Sequence, residues 1–209
     1  EIFAGDPNEY ESSETTHYSV IDKDGNAVSV TTTINLGYGS GILVEGAGFF
    51  LNNEMDDFSV KAGVPNYFGL VGNDANAIEP RKRPLSSMTP TIVLKDNEPL
   101  IILGSPGGSR IITTVLQTIL NVTVHNMSIQ DAVSAPRVHS QWLPEVIMVE
   151  PFSVNKDVRK LLKRKGHKIS PYVIYSGMEM IGEMNAILIN ESGYFGGADT
   201  RGENTAIGY

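Results

Sequence analysis

Four short stretches of this sequence carry side chains that could do chemistry, and the first is Thr15-Thr16-His17. A threonine hydroxyl becomes a nucleophile when a nearby group accepts its proton, and a free α-amino group can do so, with an ordinary pKa of about 7.7–8. A cut before Thr15 would give that residue its own amine as the base. The ordinary alternative is that a threonine at the start of a strand is simply a β-forming residue.

The second stretch is the glycine-rich segment 104–109, GSPGGS, which precedes a helical pattern. Such a turn presents backbone N–H groups at a helix N-terminus, where the helix dipole favours negative charge. The glycine spacing matches neither the P-loop pattern nor the dinucleotide-binding pattern. An oxyanion hole is compatible with it, and a tight strand-to-helix connection is the ordinary alternative.

The other two stretches are rich in polar side chains. Ser86 and Ser87 lie between Pro84 and Pro90, and two hydroxyls on a rigid loop can bind a carboxylate. Residues 52–57, NNEMDD, offer many oxygen atoms that could hold an ammonium group or a hard cation, although the pattern does not match an EF-hand loop. A polar loop and a solvated turn are the ordinary alternatives.

The elements that would position these stretches follow from periodicity and turn signals. Two β-prone runs, 17–22 and 27–34, are joined through Asp24-Gly25, which predicts a hairpin. Alternation in the second run places Val28, Val30, Thr32 and Ile34 on one face, and Ser29, Thr31 and Thr33 on the other. Further strands are predicted at 48–51, 91–94, 100–103, 146–150, 186–190 and 194–196, and helices at 110–120, 128–134 and 155–165. Strands before and after central helices indicate an α+β layered fold.

Composition narrows the class of protein. The 209 residues include 16 Lys and Arg against 24 Asp and Glu, a net charge of −8, which argues against non-specific nucleic-acid binding. No Cys is present, which excludes disulfides and thiol chemistry, and the four His are scattered without metal-ligand spacing, so neither a metal nor a cofactor is expected. No apolar run is long enough for a membrane-spanning helix, and no signal peptide is visible.

Taken together and in order, four motifs resemble the small, catalytic subunit of bacterial γ-glutamyltranspeptidases. They are TTHYS at 15–19, LNNEMDDF at 51–58, KRPLSS at 82–87 and GSPGGSRIITT at 104–114. The resemblance covers residues 15–209. It implies an N-terminal-nucleophile hydrolase with a four-layer αββα sandwich, of which this chain is the small-subunit part.

The resemblance also implies a division of the chain and a role for each matched residue. Residues 1–14, an acidic and patternless arm, would be the tail of the large subunit, and the precursor would cut itself between Glu14 and Thr15. Thr15 would attack the γ-carbonyl of glutathione or another γ-glutamyl compound and pass the acyl group to water, an amino acid or a peptide. The remaining matches are Thr33 beside the nucleophile, Gly107 and Gly108 as the oxyanion hole, Asn35, Glu54 and Asp57 at the α-amino end of the substrate, and Ser86 and Ser87 at its α-carboxylate.

Two departures and two rival functions accompany this resemblance. The lid loop of the family, here about 61–70, carries a Tyr that bonds the Asn at position 35; this chain has Phe68 there, with Tyr67 beside it. A main carboxylate ligand of the family, an Arg, belongs to the large subunit. The family suggests a periplasmic or extracellular location. The rivals are a related acylase that acts on another acyl group and a truncated, non-catalytic binding module.

Overall fold

The architecture is a stack of two β layers and a helical layer, with a smaller sheet beside it. The computed structural model of the protein describes residues 15–171 and 181–208. The strands are β1 (Thr15–Ile21), β2 (Ala27–Thr33), β3 (Thr91–Lys95), β4 (Glu98–Gly104), β5 (Val138–His139), β6 (Ile147–Val149), β7 (Ile169–Pro171), β8 (Asn185–Asn190) and β9 (Gly193–Ala198). The α-helices are α1 (Ile111–Thr123), α2 (Ile129–Ser134) and α3 (Lys156–Arg164).

The β1–β2 hairpin is antiparallel, with Thr15 opposite Thr33. Its turn is held by the Asp22 carboxylate, which accepts hydrogen bonds from the backbone N–H groups of Asp24 and Asn26. Gly25 has a φ of 83°, a conformation that favours glycine. The predicted hairpin is therefore confirmed, and the residues that form its turn are all neighbours in the sequence.

The main sheet has the order β3-β4-β8-β9, and every neighbouring pair is antiparallel. Strand β4 is buried on both faces. Ile101 and Leu103 pack in the core with Ile111 and Val115 of α1, while Ile102 is on the opposite face, against the hairpin layer. A strand covered on both sides is expected to be a continuous apolar run, which is how 100–103 looks in the sequence.

The hairpin packs on this sheet through its polar face. The hydroxyl of Ser29 donates to the carbonyl oxygen of Leu103 at 3.0 Å, and the buried His17 ring lies against Gly104. A Cβ added at Gly104 would lie 2.3 Å from a ring carbon of His17, so only glycine allows this approach. The alternation predicted for β2 is confirmed, with the threonine face inward and the side chain of Val28 about half exposed.

The smaller sheet joins β5, β6 and β7, with β6 and β7 parallel and α3 in the connection between them. Asn155 caps α3 by accepting hydrogen bonds from the N–H groups of Asp157 and Val158. The helix ends before Gly166, whose φ is 93°. The sequence predicted β6 and α3, whereas β5 and β7, of two and three residues, were not predicted.

One predicted strand, 48–51, is wrong. In its place the structure has a single isolated bridge between Leu43 and Phe50. Gly41, Gly46 and Gly48 adopt φ between 73° and 78°, and each of them turns the chain away from an extended conformation. The other predicted helices and strands are confirmed to within a few residues at their ends.

Candidate active site

The hydroxyls of Thr15 and Thr33 meet at the open end of the hairpin. Thr15 Oγ1 donates to Thr33 Oγ1 at 3.1 Å, and the backbone N–H of Asn35 donates to the same Thr33 oxygen at 2.9 Å. The pairing follows from register, because Thr15 is the first residue of β1 and Thr33 is the last of β2. A threonine on a rigid strand therefore has a second hydroxyl within hydrogen-bond reach.

His17 lies two residues further along the same face of β1, and the sequence analysis did not select it. Its ring nitrogens contact the hydroxyls of Thr31 at 2.8 Å and Ser19 at 3.0 Å. Burial lowers the pKa of His17 to about 4, so the ring is neutral near pH 7. Its function is to hold the hairpin against Gly104. Alternation along β1 places His17 on the same inward face as Thr15, and this position is the sequence signal that could have identified it.

Asn35 connects the end of β2 to the acidic segment. It is buried, with a φ of 77°, and its amide group donates to the carbonyl oxygen of Asn53 at 3.1 Å. In return, the Asn53 side chain accepts the N–H of Leu36 at 3.1 Å. The 3-10 helix Glu54–Asp57 starts at the next residue, so this pair of asparagines brings the acidic residues to the end of the hairpin where Thr15 lies.

Glu54 and Asp57 form a hydrogen-bonded carboxyl pair within that helix. Desolvation and the neighbouring Asp57 charge raise the pKa of Glu54 to about 7. Desolvation also raises the pKa of Asp57 above its ordinary value. Because Glu54 is about half protonated near pH 7, a cation bound beside the two carboxyls would favour loss of its proton.

Ser86 and Ser87 reach the same region through an asparagine that the sequence analysis missed. The Asn76 side chain donates to the Asp57 carbonyl oxygen at 2.7 Å and accepts the Leu85 N–H at 3.0 Å. Asp57 and Ser87 consequently line one cavity of about 220 Å³. Ser86 is exposed, and its hydroxyl accepts the Met88 N–H.

The glycine-rich loop follows β4 at the end reached by Thr15. Ser29 contacts Leu103 and His17 contacts Gly104, so the next inward pair of the hairpin, Thr15 and Thr33, is at the level where this loop begins. Gly107 and Gly108 have φ values of 129° and 56°, and they start the 3-10 helix that leads into α1. The first N–H groups of a helical segment have no partner within it, so they can bind an oxyanion.

Both glycines are also required by their close neighbours. A Cβ at Gly107 would lie 3.0 Å from the Cα of Gly182, and a Cβ at Gly108 would lie 2.8 Å from the ring of Phe68. The loop is thus enclosed by the 181–183 segment on one side and by the lid on the other.

The lid segment 61–70 is anchored to the acidic helix. Tyr67 donates its backbone N–H to the Asp56 carboxylate at 3.1 Å, and Pro65 forms an isolated bridge with Val71. The Asn66 side chain accepts the N–H groups of Phe68 and Leu70. Phe68, the residue that the resemblance matches to the lid tyrosine, packs on Gly108.

A buried network of four charged side chains lies behind the glycine-rich loop. Arg137 pairs with Asp199, and Arg201 pairs with Glu150 and Asp199. Arg137 also donates to the carbonyl oxygens of Ile181 and Gly182 at 2.8 and 2.9 Å. Because Gly182 is the residue that touches Gly107, this network determines the position of the loop from behind. Single-sequence reasoning missed it, since the ion pairs Arg201–Glu150 and Arg137–Asp199 join residues 51 and 62 positions apart.

The described residues contain neither a candidate metal site nor a candidate membrane-spanning helix. Across 15–171 and 181–208, no set of three or more His, Asp or Glu side chains is arranged to hold a metal ion. Over the same residues, no helix combines the length and the apolar composition needed to cross a membrane. Glu14 and the rest of the arm 1–14 lie outside the described residues.

Comparisons with known proteins identify the family of this chain. A family model described as gamma-glutamyltranspeptidase matches residues 2–209. The glutathione hydrolase proenzyme of Escherichia coli K12 is 49% identical over 211 residues, covering 100% of this chain and 35% of that protein. The chain therefore spans about a third of the length of the curated relatives it matches.

Solved structures support the fold. A Helicobacter pylori gamma-glutamyltranspeptidase carrying the T380A mutation has 55% identity and a TM-score of 0.82, covering 90% of this chain and 100% of that one. A cephalosporin acylase from Bacillus halodurans has 27% identity and a TM-score of 0.76, covering 90% of this chain and 33% of that one.

The fold is that of an N-terminal-nucleophile hydrolase, the α+β four-layer αββα sandwich that the resemblance implied. The hairpin, the main sheet and the helices α1 and α2 are this chain's share of its layers. By its sequence over residues 2–209, the chain belongs to the gamma-glutamyltranspeptidase family.

Proposed function

We propose that this chain is the catalytic small-subunit region of a self-processing γ-glutamyl transferase and hydrolase. It would cleave the γ-glutamyl bond of glutathione and related compounds through an acyl-enzyme on Thr15. The observation that carries the proposal is the connected path from Thr15 to Thr33, Asn35 and Asn53, which ends at the acidic helix. This path joins a candidate nucleophile to a candidate site for the substrate's ammonium group.

Acylation would begin at Thr15. Its α-amine, once freed from Glu14, takes the hydroxyl proton as Oγ1 attacks the γ-carbonyl carbon. The Thr33 hydroxyl, 3.1 Å away, orients Oγ1 for the attack. The N–H groups of Gly107 and Gly108 stabilise the oxyanion of the tetrahedral intermediate. The proton then moves from the α-amine to the departing amine as the carbon–nitrogen bond breaks, and an ester on Thr15 remains.

Deacylation repeats these steps in reverse order with a new nucleophile. The α-amine of Thr15 takes a proton from water or from an acceptor's amino group as it attacks the ester. Water yields glutamate, and an amino acid or peptide yields a new γ-glutamyl product. The proton returns to Thr15 Oγ1, and no cofactor is needed at any step.

Recognition of the glutamyl head group would divide its two charges between two parts of the site. Asn35, Glu54 and Asp57 would hold the α-ammonium group, since carboxylates and an amide oxygen are acceptors for its protons. Ser86 and Ser87 would donate hydroxyls to the α-carboxylate. Asp57 and Ser87 line one cavity, so these two residues lie close together, and this proximity supports the assignment.

The large subunit of the same precursor would complete the enzyme, with residues 1–14 as the tail of that subunit and 15–209 as the catalytic domain. Two apolar surfaces in the described residues support such a partner. Tyr18, Val20 and Val28 on the outer face of the hairpin are each about half exposed. Ile112, Leu116 and Leu120 form a half-exposed stripe along α1. A periplasmic or extracellular location is part of this proposal, and fractionation of the source cells tests it.

The experiment that tests the function compares two substrates on this region assembled with its large subunit. γ-Glutamyl-p-nitroanilide carries the α-ammonium group, whereas glutaryl-p-nitroanilide lacks it. We expect kcat/KM to favour the first by about 10² or more, because a site built for a charged group is left unpaired by the analogue. Equal rates would favour the rival acylase on another acyl group. Inactivity of the assembled protein on both would favour the binding module.

The carboxyl pair predicts a pH dependence of substrate binding. Below pH 7 Glu54 is protonated, and above pH 7 it is ionised, so attraction for the substrate's ammonium group increases with pH. We expect KM for the γ-glutamyl donor to fall between about pH 5.5 and 7.5, a range below the ordinary α-amino pKa of about 7.7–8. Glu54→Gln should flatten this part of the profile. An unchanged slope in that variant would contradict the assignment.

Replacing Asn76 should weaken substrate binding while leaving the rate of the chemical step nearly unchanged. Asn76→Ala removes the bonds that connect Asp57 to the segment before Ser86. We expect KM to rise about tenfold with a smaller change in kcat, because the substrate's two charges would no longer be held at a fixed separation. Asn121→Ala, which removes one side-chain bond on α1 to Ala132, is the matched control. Equal KM values in the two variants would contradict the account.

A further inference from the structure

The side chain of Gln141 connects three parts of the molecule that meet around the glycine-rich loop. Its amide oxygen accepts hydrogen bonds from the Ser109 hydroxyl at 2.6 Å and from the His139 ring at 2.9 Å. Its amide nitrogen donates to the carbonyl oxygens of Leu143 at 3.1 Å and Phe68 at 3.4 Å. All four hydrogen-bonding positions of the amide are therefore used.

The chemistry of these partners fixes which way the amide points. Carbonyl oxygens only accept, so the groups on Phe68 and Leu143 require the NH₂ side of Gln141. The His139 ring then donates through Nε2, and its Nδ1 faces the Thr113 hydroxyl at 2.8 Å. Burial lowers the pKa of His139, so its ring is neutral near pH 7 and has one donor and one acceptor nitrogen.

The backbone around Gln141 is held in an uncommon conformation. The N–H of Leu143 donates to the carbonyl oxygen of Gln141 at 2.8 Å, which closes a three-residue turn with Trp142 at its centre. Trp142 has a φ of 70°, in a region that a bulky residue rarely occupies. A strained backbone conformation of this kind persists where surrounding hydrogen bonds hold it in place. The side-chain bond from Gln141 to Leu143 spans this turn and is one of them.

The lid and the glycine-rich loop, which would form the oxyanion hole and is called the oxyanion loop below, contact each other beside Gln141. The Phe68 ring packs on Gly108, and the Phe68 carbonyl oxygen binds Gln141. Ser109, bound to the same amide, directly follows Gly108 and is buried. The lid bond, at 3.4 Å, is the longest of the four.

We propose that Gln141 is a positioning residue that latches the lid to the oxyanion loop. While its amide holds Phe68 and Ser109 together, the lid covers the acyl-enzyme and excludes water, so an amine acceptor competes better for the acyl group. When the Phe68 bond opens, the lid moves and Ser109 keeps its place. The catalytic part of this inference rests on the proposed function, while the latch itself is a property of the fold.

Hydrogen exchange tests the latch independently of catalysis. The variant is Gln141→Glu, whose carboxylate keeps both acceptor contacts and cannot donate to Phe68 or Leu143. In the assembled protein with Thr15 in place and no substrate added, we expect exchange of the lid amides in 61–72 to rise about fivefold, the change one lost hydrogen bond produces in an opening equilibrium. Gln117→Glu is the matched control, because Gln117 bonds Thr113 and Val138 and has no bond to the lid.

The catalytic consequence is read from product ratios in the active enzyme. Gln141→Glu should lower the ratio of transfer to hydrolysis by about fivefold, with a smaller change in KM for the donor. Gln141→Met, which removes the bonds without adding charge, should act in the same direction. Lid exchange equal to that of Gln117→Glu in both variants would overturn the latch. Faster lid exchange in a protein without γ-glutamyl activity would retain the latch and reject the proposed function.

Discussion

Replacing Thr15 by Ala should abolish γ-glutamyl transfer and hydrolysis. We expect kcat/KM to fall by at least about 10⁴-fold, because loss of a covalent nucleophile leaves only binding and oxyanion stabilisation. The same variant should remain uncleaved between Glu14 and residue 15. Both effects are measured on the assembled protein, by γ-glutamyl-p-nitroanilide turnover and by mass spectrometry.

Thr16→Ala is the matched control for this prediction. Thr16 is adjacent in sequence and exposed on the opposite face of β1, where it pairs with Thr32. We expect this variant to be cleaved and to keep activity within about threefold of the wild type, since exposed substitutions away from special features change little. Retention of more than about one per cent activity by Thr15→Ala would contradict the role of Thr15, because about 10⁴-fold is the expected loss.

The second large effect is expected for Arg137, which is fully buried and touches no proposed substrate group. Arg137→Met removes one of the two arginine partners of Asp199, leaving Arg201, and removes the donors for Ile181 and Gly182. Breaking a buried ion pair from one side typically costs about 3–5 kcal/mol in the free energy of unfolding. Gly182 would then no longer support Gly107, so kcat should fall as well, by about 10²-fold, the usual effect of one misplaced oxyanion donor.

Urea unfolding and steady-state kinetics of the assembled protein measure these two effects. Arg159→Met is the control, because within the part of the chain that the structure describes Arg159 makes one side-chain bond, to the Val154 carbonyl oxygen, and none to the network. Its cost should stay below about 1 kcal/mol, the value of an ordinary hydrogen bond. If the two variants unfolded at the same urea concentration, the network would not stabilise the fold. If a folded Arg137→Met variant kept the kcat of the wild type, the ion-pair network would not be needed to position the glycine-rich loop.

The sequence predicted those parts of the fold that are encoded locally. The hairpin follows from alternation and from Asp24-Gly25, and β4 follows from its apolar run. The prediction of a strand at 48–51 was wrong because the glycines around it adopt positive φ, which interrupts strand pairing. The sequence alone does not distinguish such glycines from glycines in a regular strand. The strands β5 and β7 are too short to show any period.

For the candidate site, the sequence and the resemblance identified residue types, and the structure added the connections between them. Asn76 and Gln141 were not predicted, and Asn53 was predicted only as one of the oxygen-bearing residues of 52–57, since a bonded asparagine or glutamine looks like any loop residue in sequence. His17 was dismissed as a metal ligand, and its packing role depends on Gly104, 87 residues away in the chain. These contacts are long-range, so local pattern could not reveal them.

The central claim is that Thr15 becomes an N-terminal nucleophile, and intact mass with N-terminal sequencing of the purified, assembled wild-type protein tests it most directly. The account predicts two polypeptides, one of which begins with Thr15-Thr16-His17. Treatment with a γ-glutamyl donor and rapid acid quench should then add one γ-glutamyl group to that polypeptide, on the peptide that contains Thr15. A folded protein that stays in one piece, with Thr33 intact, would contradict self-processing and would leave the binding-module alternative in its place.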